Sequence, residues 1–265
     1  MSEAIGWLLT AAWGLCVGSF LNVLIHRLPP VALDPEASVW HALWQPRSHC
    51  PHCGHTLHLR HLVPLWSWFL LRGRCEFCHH PISWRYPLVE LGCALLWLRC
   101  MGQWGVGAEG CLWAIFASTL LALAVIDAQT CLLPDALTLP LVWLGLLASQ
   151  QQWIGLALDD AVGGAMLGYL ALWLVASIFE RLTGRVGMGA GDFKLLAAMG
   201  AWLGPVALLP LVLMASVSGA LVGGLLQRRE GLPHAGYVPF GPFLALAAGV
   251  MMFGGGHWLD GLFVS

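Results

Sequence analysis

The stretch GMGAGDFKLLAAMGAWLG (187–204) places two charged residues, Asp192 and Lys194, at the start of an apolar segment in a strongly apolar chain. Of the 265 residues, 58% are hydrophobic and 10% are charged, and the mean hydropathy is +0.76. Soluble domains usually carry about 25% charged residues. The composition therefore predicts an all-α protein that crosses a membrane several times, and it gives no sign of separate soluble domains.

About eight transmembrane helices are predicted, one in each apolar segment of spanning or near-spanning length. The segments are 4–26, 87–101, 111–127, 136–150, 160–179, 192–204, 206–226 and 240–259. The fourth and the sixth are shorter than the ~20 residues that a span needs. This pattern divides the chain into a first membrane helix (1–26), a loop (27–86) and a seven-helix membrane core (87–265). Because the N-terminus carries Glu3 and no Lys or Arg, the first segment is expected to remain as a membrane helix.

The basic residues follow a one-sided pattern along the chain. Eleven of the twelve Lys and Arg residues lie in or beside odd-numbered connections between the predicted helices, and only Arg99 lies elsewhere. Basic loops remain in the cytoplasm. The pattern therefore predicts that the loop 27–86 is cytoplasmic and that both termini lie on the far side. An odd number of helices would break this pattern, which favours eight.

Two cysteine pairs in the loop 27–86 form a candidate metal site. The motifs CPHCGH (50–55) and CEFCHH (75–80) contain Cys50, Cys53, Cys75 and Cys78 in a paired Cys-x2-Cys arrangement. This spacing is typical of a structural Zn²⁺ held by four thiolates, which leave no open coordination position. The neighbouring imidazoles are rival ligands, and reduced cysteines without metal are the other alternative. These imidazoles belong to His52, His55, His79 and His80.

Two acidic residues at helix boundaries are candidate catalytic groups. Asp127 ends the third apolar segment, and Asp192 opens the sixth, so the topology places both at the cytoplasmic edge of the membrane. Ionisable residues in membrane helices usually mark function. Two aspartates at one depth can share a proton, so that one activates a water molecule while the other polarises a carbonyl. A helix N-terminus favours an ionised carboxylate, so Asp192 is expected to ionise more readily than Asp127.

Other interpretations of these residues remain open at this stage. Asp192 could be a helix N-cap, Asp127 could merely end a helix, and Asp135 could be a third acidic member or a cap of the fourth helix. The glycines before Asp192 allow close backbone approach, which an extended substrate or a phosphate would require. A transporter could use the same aspartates, but carboxylates at the membrane edge rather than at its centre count against transport.

The motifs together resemble the type IV prepilin peptidases, also called leader peptidase/N-methyltransferases, which are membrane aspartic proteases of the Gly-x-Gly-Asp kind. The resemblance covers nearly the whole chain. It is carried by the paired cysteine motifs and by GSFLNVLIHRLP (18–29), YPLVEL (86–91), IDAQTCLLPDALTLP (126–140) and GMGAGDFKLLAAMGAWLG (187–204).

The resemblance implies that Asp127 and Asp192 are the catalytic pair and that the four cysteines bind zinc. It implies a bacterial inner-membrane enzyme that lies among lipids, with its active site facing the cytoplasm. Its substrates would be type IV prepilins or type II secretion pseudopilins, whose short basic leader ends in Gly. Many members also methylate the new N-terminus with S-adenosylmethionine; a peptidase without this second activity is the alternative.

The resemblance also draws attention to a polar cluster at the end of the first helix. It contains Asn22, His26 and Arg27, and Glu90 lies just inside the second helix. Arg27 and Glu90 are candidates for binding the methyl donor or the substrate, and the alternative is that they are interfacial anchors. No nucleic-acid partner is expected, and no oligomeric state is predicted.

Overall fold

The computed structural model describes residues 2–34, 36–45, 47–229 and 238–254. These residues form ten α-helices and one 3-10 helix, and no β-strand occurs among them. The chain divides into two compact units, Met1–Ala122 (unit 1) and Leu123–Ser265 (unit 2).

Unit 1 contains the first five helices and the 3-10 helix. They are α1 (Ser2–Leu33), α2 (Val39–Trp44), the 3-10 helix (Leu59–Leu62), α3 (Trp66–Leu70), α4 (Arg85–Trp104) and most of α5 (Ala108–Thr130). α1 runs through Pro29 and Pro30 and extends beyond the predicted end of the segment at residue 26. The fixed φ of proline is compatible with a helix, but each ring removes a backbone donor and crowds the carbonyl four residues earlier, so the last turn of α1 forms against its local preference.

α1 packs closely against α4 through two glycines that are one helical turn apart. A Cβ atom at Gly14 would lie 2.7 Å from the Cα atom of Ala94, and one at Gly18 would lie 2.7 Å from the Cα atom of Glu90. Small residues at this spacing allow membrane helices to approach at backbone distance. The glycines therefore fix the register of α1 along α4 and place Glu90 against α1.

The loop between α1 and α4 presents several large aromatic side chains to its surroundings. Trp40 and Trp44 in α2, Trp66 and Phe69 in α3, and Trp84 before α4 are between 62% and 77% exposed. Aromatic residues of this kind are enriched where membrane and water meet. The loop is therefore apolar at its surface, although it is the part of the chain richest in Arg and His.

Unit 2 is built around one short, almost fully buried helix. It contains the end of α5 and α6 (Asp135–Gln150), α7 (Leu158–Thr183), α8 (Ala190–Leu203), α9 (Leu208–Arg229) and α10 (Gly241–Gly254). Ten of the fourteen residues of α8 are buried, and α6, α7, α9 and α10 all pack against it. A helix that is apolar on every side is stable only inside such a bundle.

The crossing of α7 and α8 is the closest helix contact in unit 2. A Cβ atom at Gly164 would collide with the backbone carbonyl of Gly200, and the reverse also holds. A Cβ atom at Gly168 would lie 2.6 Å from the carbonyl oxygen of Leu196. On another side of α8, the indole N–H of Trp202 donates to the carbonyl of Leu141 in α6 at 2.9 Å. These contacts fix the position of α8, which carries Asp192.

The prediction of an all-helical membrane protein is confirmed. Every predicted apolar segment coincides with a helix of its own, although residues 255–259 of the last segment lie outside the described residues. Four helical stretches are long and apolar enough to cross a membrane: Glu3–Leu33, Ala108–Thr130, Leu158–Thr183 and Leu208–Leu225; α6 and α10 are shorter apolar helices. The count of eight crossings, their orientation and the division at residues 26 and 86 remain predictions.

Candidate functional site

Asp127 lies in the last turn of α5 and is buried, with 5% of its surface exposed. Its Oδ2 atom accepts a hydrogen bond of 2.8 Å from the backbone N–H of Gly241, the first residue of α10. A Cβ atom at position 241 would lie 2.8 Å from the same oxygen. The contact combines a free N–H at a helix N-terminus with a carboxylate, which is an arrangement that stabilises negative charge.

Asp192 is the third residue of α8 and is also buried. The N-cap position belongs to Gly189, which has extended backbone angles, so the N-cap interpretation of Asp192 is wrong. The Oδ1 atom of Asp192 is buried and makes no hydrogen bond with any described residue. The expectation that Asp192 would be the better stabilised carboxylate is therefore also wrong, because Asp127 receives the helix N–H group.

The two carboxyl groups lie in one electrostatic environment within unit 2. Asp127 interacts electrostatically with Asp192, and both act on the thiol of Cys131, which follows α5. Desolvation raises the pKa of this thiol, and the negative charges of Asp127 and Asp192 raise it further. The two acidic residues predicted from the sequence are thus near enough for their charges to interact.

Two of the three glycines before Asp192, Gly187 and Gly191, pack against protein side chains, whereas a Cβ atom at Gly189 would have only Asp192 Oδ2 near it, at 4.0 Å. A Cβ atom at Gly187 would lie 2.7 Å from Cδ1 of Phe179, and one at Gly191 would lie 2.8 Å from Cβ of Leu133. No left-handed backbone angle occurs at either glycine. The predicted close approach is therefore internal packing against Phe179 and Leu133 at Gly187 and Gly191, while Gly189 leaves space beside the Asp192 carboxylate.

Asp135 is the first residue of α6, after Pro134 at the N-cap position. Both of its carboxylate oxygens lie 2.7 Å from Nζ of Lys194 in α8. This ion pair was not predicted from the sequence, because its partners are 59 residues apart and leave no local pattern. Asp135 is therefore engaged with a cation instead of belonging to the group around Asp127 and Asp192.

The four predicted metal ligands in the loop of unit 1 converge. The Sγ atoms of Cys50, Cys53, Cys75 and Cys78 all lie within 4.8 Å of one another, and those of Cys50 and Cys78 are 3.9 Å apart. Tetrahedral Zn²⁺ with bonds of about 2.3 Å holds its sulfurs about 3.8 Å apart. The four cysteines can therefore hold a metal ion, and this donor set fits zinc.

The two cysteine pairs sit in matching turns of the backbone. In the first turn, the N–H of Cys50 donates to the carbonyl of His55, and the N–H of Gly54 donates to the carbonyl of Cys50. In the second turn, the N–H of Cys75 donates to the carbonyl of His80, and the N–H of His79 donates to the carbonyl of Cys75. Gly54 and His79 occupy equivalent positions, with φ of 71° and 55°. Each turn thus presents its two thiols toward the other turn.

Backbone N–H groups prepare one of these thiols for ionisation. The N–H groups of Cys78 and Phe77 lower the pKa of the Cys75 thiol to about 7. The N–H of His80 lowers the pKa of the Cys78 thiol, but desolvation and the other cysteines raise it to about 11. Four thiolates at this distance therefore require a cation between them.

Three of the four rival imidazoles stack on other aromatic rings. The rings of His52 and His80 stack with centroids 4.1 Å apart, and the ring of His55 lies 3.5 Å from that of Phe77. Among the described residues, the group that could hold a metal consists of the four cysteines alone.

Arg27 and Glu90 hold the loop of unit 1 in place. The guanidinium of Arg27 donates to the carbonyls of Ala42 and Leu43 at the end of α2, at 2.9 and 3.0 Å. Oε2 of Glu90 accepts the backbone N–H of Leu65 at 2.8 Å. Asn22 donates in the same way to the carbonyl of Tyr86 at 3.1 Å. These contacts support the interpretation of these polar residues as structural anchors.

The chain matches two families of known proteins. Residues 12–104 match the Bacterial Peptidase A24 N-terminal domain, and residues 114–224 match the Type IV leader peptidase family. A protein of Stutzerimonas stutzeri named "Prepilin leader peptidase/N-methyltransferase" is 42% identical over 91% of this chain and 88% of its own length. The chain belongs to the type IV leader peptidase family.

Other relatives of this leader peptidase carry the same printed name. That of Pectobacterium carotovorum is 44% identical, over 91% of both chains. That of Pseudomonas aeruginosa is 42% identical, over 94% of this chain and 90% of its own. No solved structure matches this leader peptidase. The first family match contains all four cysteines, and the second contains both aspartates.

Proposed function

We propose that this protein cleaves the basic leader from type IV prepilins or type II secretion pseudopilins, with Asp127 and Asp192 as its catalytic pair. The observation that carries this proposal is the meeting of two buried, interacting carboxyl groups in a member of the leader peptidase family. Buried carboxyl pairs are the machinery of aspartic proteases. The cytoplasmic orientation of the site and its location in the bacterial inner membrane are parts of the same proposal.

The different surroundings of the two carboxyl groups suggest a division of roles. Asp127 accepts the N–H of Gly241 and carries the negative charge, while Asp192, with one oxygen unbonded, carries the shared proton. Asp127 takes a proton from water as the resulting hydroxide attacks the scissile carbonyl, and Asp192 donates its proton to the developing oxyanion. When the C–N bond breaks, Asp127 passes its proton to the leaving amine, and one hydroxyl of the tetrahedral intermediate returns its proton to Asp192. The leader leaves with a new carboxyl group, and the pilin gains a new N-terminal amine.

A methyl transfer follows on the new amine, as the name of the relatives indicates. S-adenosylmethionine is the proposed donor. Arg27 and Glu90 were candidates for binding it, but their contacts with α2 and Leu65 account for both side chains. No residue is therefore assigned to the donor, and a peptidase without methyl transfer is the second candidate function.

The four cysteines are proposed to hold a structural Zn²⁺. Bound there, the ion would join the two halves of the loop and would take no part in cleavage, because four thiolates leave no position for a substrate. The role of this chain's own residues is to hold the two turns face to face before the metal arrives, through the backbone hydrogen bonds around Cys50 and Cys75.

A reconstituted assay with a synthetic prepilin and a labelled methyl donor tests the proposal. Asp127→Asn and Asp192→Asn keep the shape of the side chain but cannot act as a carboxylate base, so each should reduce cleavage by several orders of magnitude. Asp159→Asn is the matched control, because Asp159 is exposed in the first turn of α7.

Methylation separates the two halves of the proposal. When the assay receives a pilin that is already cleaved, Asp192→Asn should still transfer methyl groups. Normal cleavage by this variant together with lost methylation would contradict the assignment of Asp192. Cleavage without any methylation by the parent protein would favour the peptidase-only function.

A further inference from the structure

The connection between α5 and α6, residues 131–134, lies against the first turn of α8. Its first residue, Cys131, has a left-handed backbone (φ 52°), and its N–H donates to the carbonyl of Asp127 at 2.8 Å. The side chain of Leu133 contacts the backbone of α8 at Gly191, where only a glycine leaves room for it. This turn therefore contacts both helix segments that carry the proposed catalytic aspartates, the end of α5 and the start of α8.

The ion pair between Asp135 and Lys194 is a second contact between this part of the chain and α8. Asp135 follows the turn directly, and Lys194 is two residues after Asp192 in α8. The pair is bidentate at 2.7 Å, with side-chain exposures of 55% for Asp135 and 26% for Lys194. Ion pairs this accessible contribute little to folding stability. What matters here is that the bidentate geometry fixes the position of the start of α6 relative to α8.

We propose that Asp135 and Lys194 are a positioning pair, which holds the 131–134 turn against α8 and so sets the separation of Asp127 and Asp192. The inference rests on the proposed catalytic role of these two aspartates. Neither Asp135 nor Lys194 touches the reacting groups. Both oxygens of Asp135 are occupied by the ammonium group, so it acts on the reaction only through the turn.

Displacing catalytic groups by a fraction of an ångström costs rate without changing substrate affinity in proportion. Asp135→Asn and Lys194→Met should therefore each lower kcat about 10- to 100-fold and leave KM nearly unchanged. Lys194→Arg keeps the charge and should retain most of the rate. In the double variant the two losses should not add, because either substitution alone breaks the same pair.

Cys131 provides a measurement that does not depend on catalysis. Its thiol is exposed, and desolvation together with the charges of Asp127 and Asp192 raises its pKa. If the turn moves away from α8, this pKa should fall toward its ordinary value, so alkylation of Cys131 at a given pH should become faster. Peptide mass spectrometry of the full-length protein in detergent follows this single cysteine among the others. Asp127→Asn calibrates the signal, because it removes one of the charges directly.

The expected result is a lower kcat and faster Cys131 alkylation in Asp135→Asn and Lys194→Met, with neither change in Lys194→Arg or in the Asp159→Asn control. A normal kcat in both single variants would overturn the proposal, and so would losses that add in the double variant. If Asp127→Asn or Asp192→Asn still cleaves prepilin, the proposed function fails instead, while the alkylation profiles continue to test how the pair places the turn.

Discussion

The backbone N–H of Gly241 donates to Oδ2 of Asp127 across 114 residues of sequence, at 2.8 Å. The donor is the first residue of α10, and its N–H is free of the helix's own hydrogen bonds. The N-terminus of α10 thus points at the carboxylate, and the helix dipole stabilises its negative charge together with the hydrogen bond. α10 therefore contributes a backbone N–H group to the candidate active site.

Gly241→Ala should lower the cleavage rate while leaving the protein folded. The added Cβ atom would lie 2.8 Å from Oδ2 of Asp127, so the carboxylate must move or lose its hydrogen bond. A loss of about 1–3 kcal/mol of hydrogen-bond energy corresponds to roughly a 5- to 150-fold lower kcat. Gly249→Ala in the same helix is the matched control, because a Cβ atom there meets nothing within 4 Å. Equal rates in the two variants would contradict this role of α10.

Purified protein should contain about one zinc ion per chain. Cys50→Ser or Cys75→Ser should release the metal and lower activity without preventing membrane insertion, because the site lies in the loop and not in the apolar helices. Elemental analysis under reducing, chelator-free conditions measures the content. Cys16→Ser in α1 is the control, since this cysteine is exposed and lies outside the cluster. If Cys75→Ser kept the full metal content, the prediction that the four cysteines bind zinc would be wrong.

Gly200→Ala should destabilise unit 2 strongly. Its Cβ atom would collide with the carbonyl of Gly164 in α7, and a backbone group cannot rotate away as a side chain can. Overpacking usually costs about 1–3 kcal/mol, and a backbone collision belongs at the upper end of that range. Thermal unfolding in detergent measures the loss. Gly163→Ala places its Cβ atom in open space one residue from the crossing, and it should be neutral or slightly stabilising.

The orientation of the chain is tested by reporter fusions. Fusions after residues 60, 185 and 229 should report the cytoplasm, and fusions after 107 and 265 should report the far side, because the basic residues cluster in odd-numbered connections. A reversed signal at any internal site would break the eight-helix arrangement.

Local patterns made much of this structure predictable. The apolar segments correspond to helices because burial in lipid or protein requires the same side chains all along an element. Each Cys-x2-Cys motif was predictable because it is a short turn whose hydrogen bonds close within six residues. Asp127 and Asp192 stand out because a carboxyl group in an apolar segment is costly.

The parts that escaped sequence reasoning are contacts between distant residues. The sequence around Asp127 does not indicate that Gly241 donates a hydrogen bond to it. The sequence around Gly191 does not indicate that Leu133 packs against it. The end of α1 was placed too early because the apolar pattern fades after residue 26, whereas the backbone remains helical through two prolines to Leu33. Hydropathy reports burial, and it does not report where a backbone hydrogen-bond ladder ends.

The exposed aromatic residues of the loop in unit 1 decide how this part of the protein can be handled. In an isolated fragment of residues 27–86, four tryptophan side chains that are each more than 60% exposed would face water: Trp40, Trp44, Trp66 and Trp84. Apolar surface of this extent promotes aggregation when nothing amphiphilic covers it. The fragment should therefore precipitate or demand detergent despite its many arginines and histidines. Spectroscopy of the cysteine cluster consequently calls for the whole chain in micelles or nanodiscs, where the choice of amphiphile is itself an experimental variable.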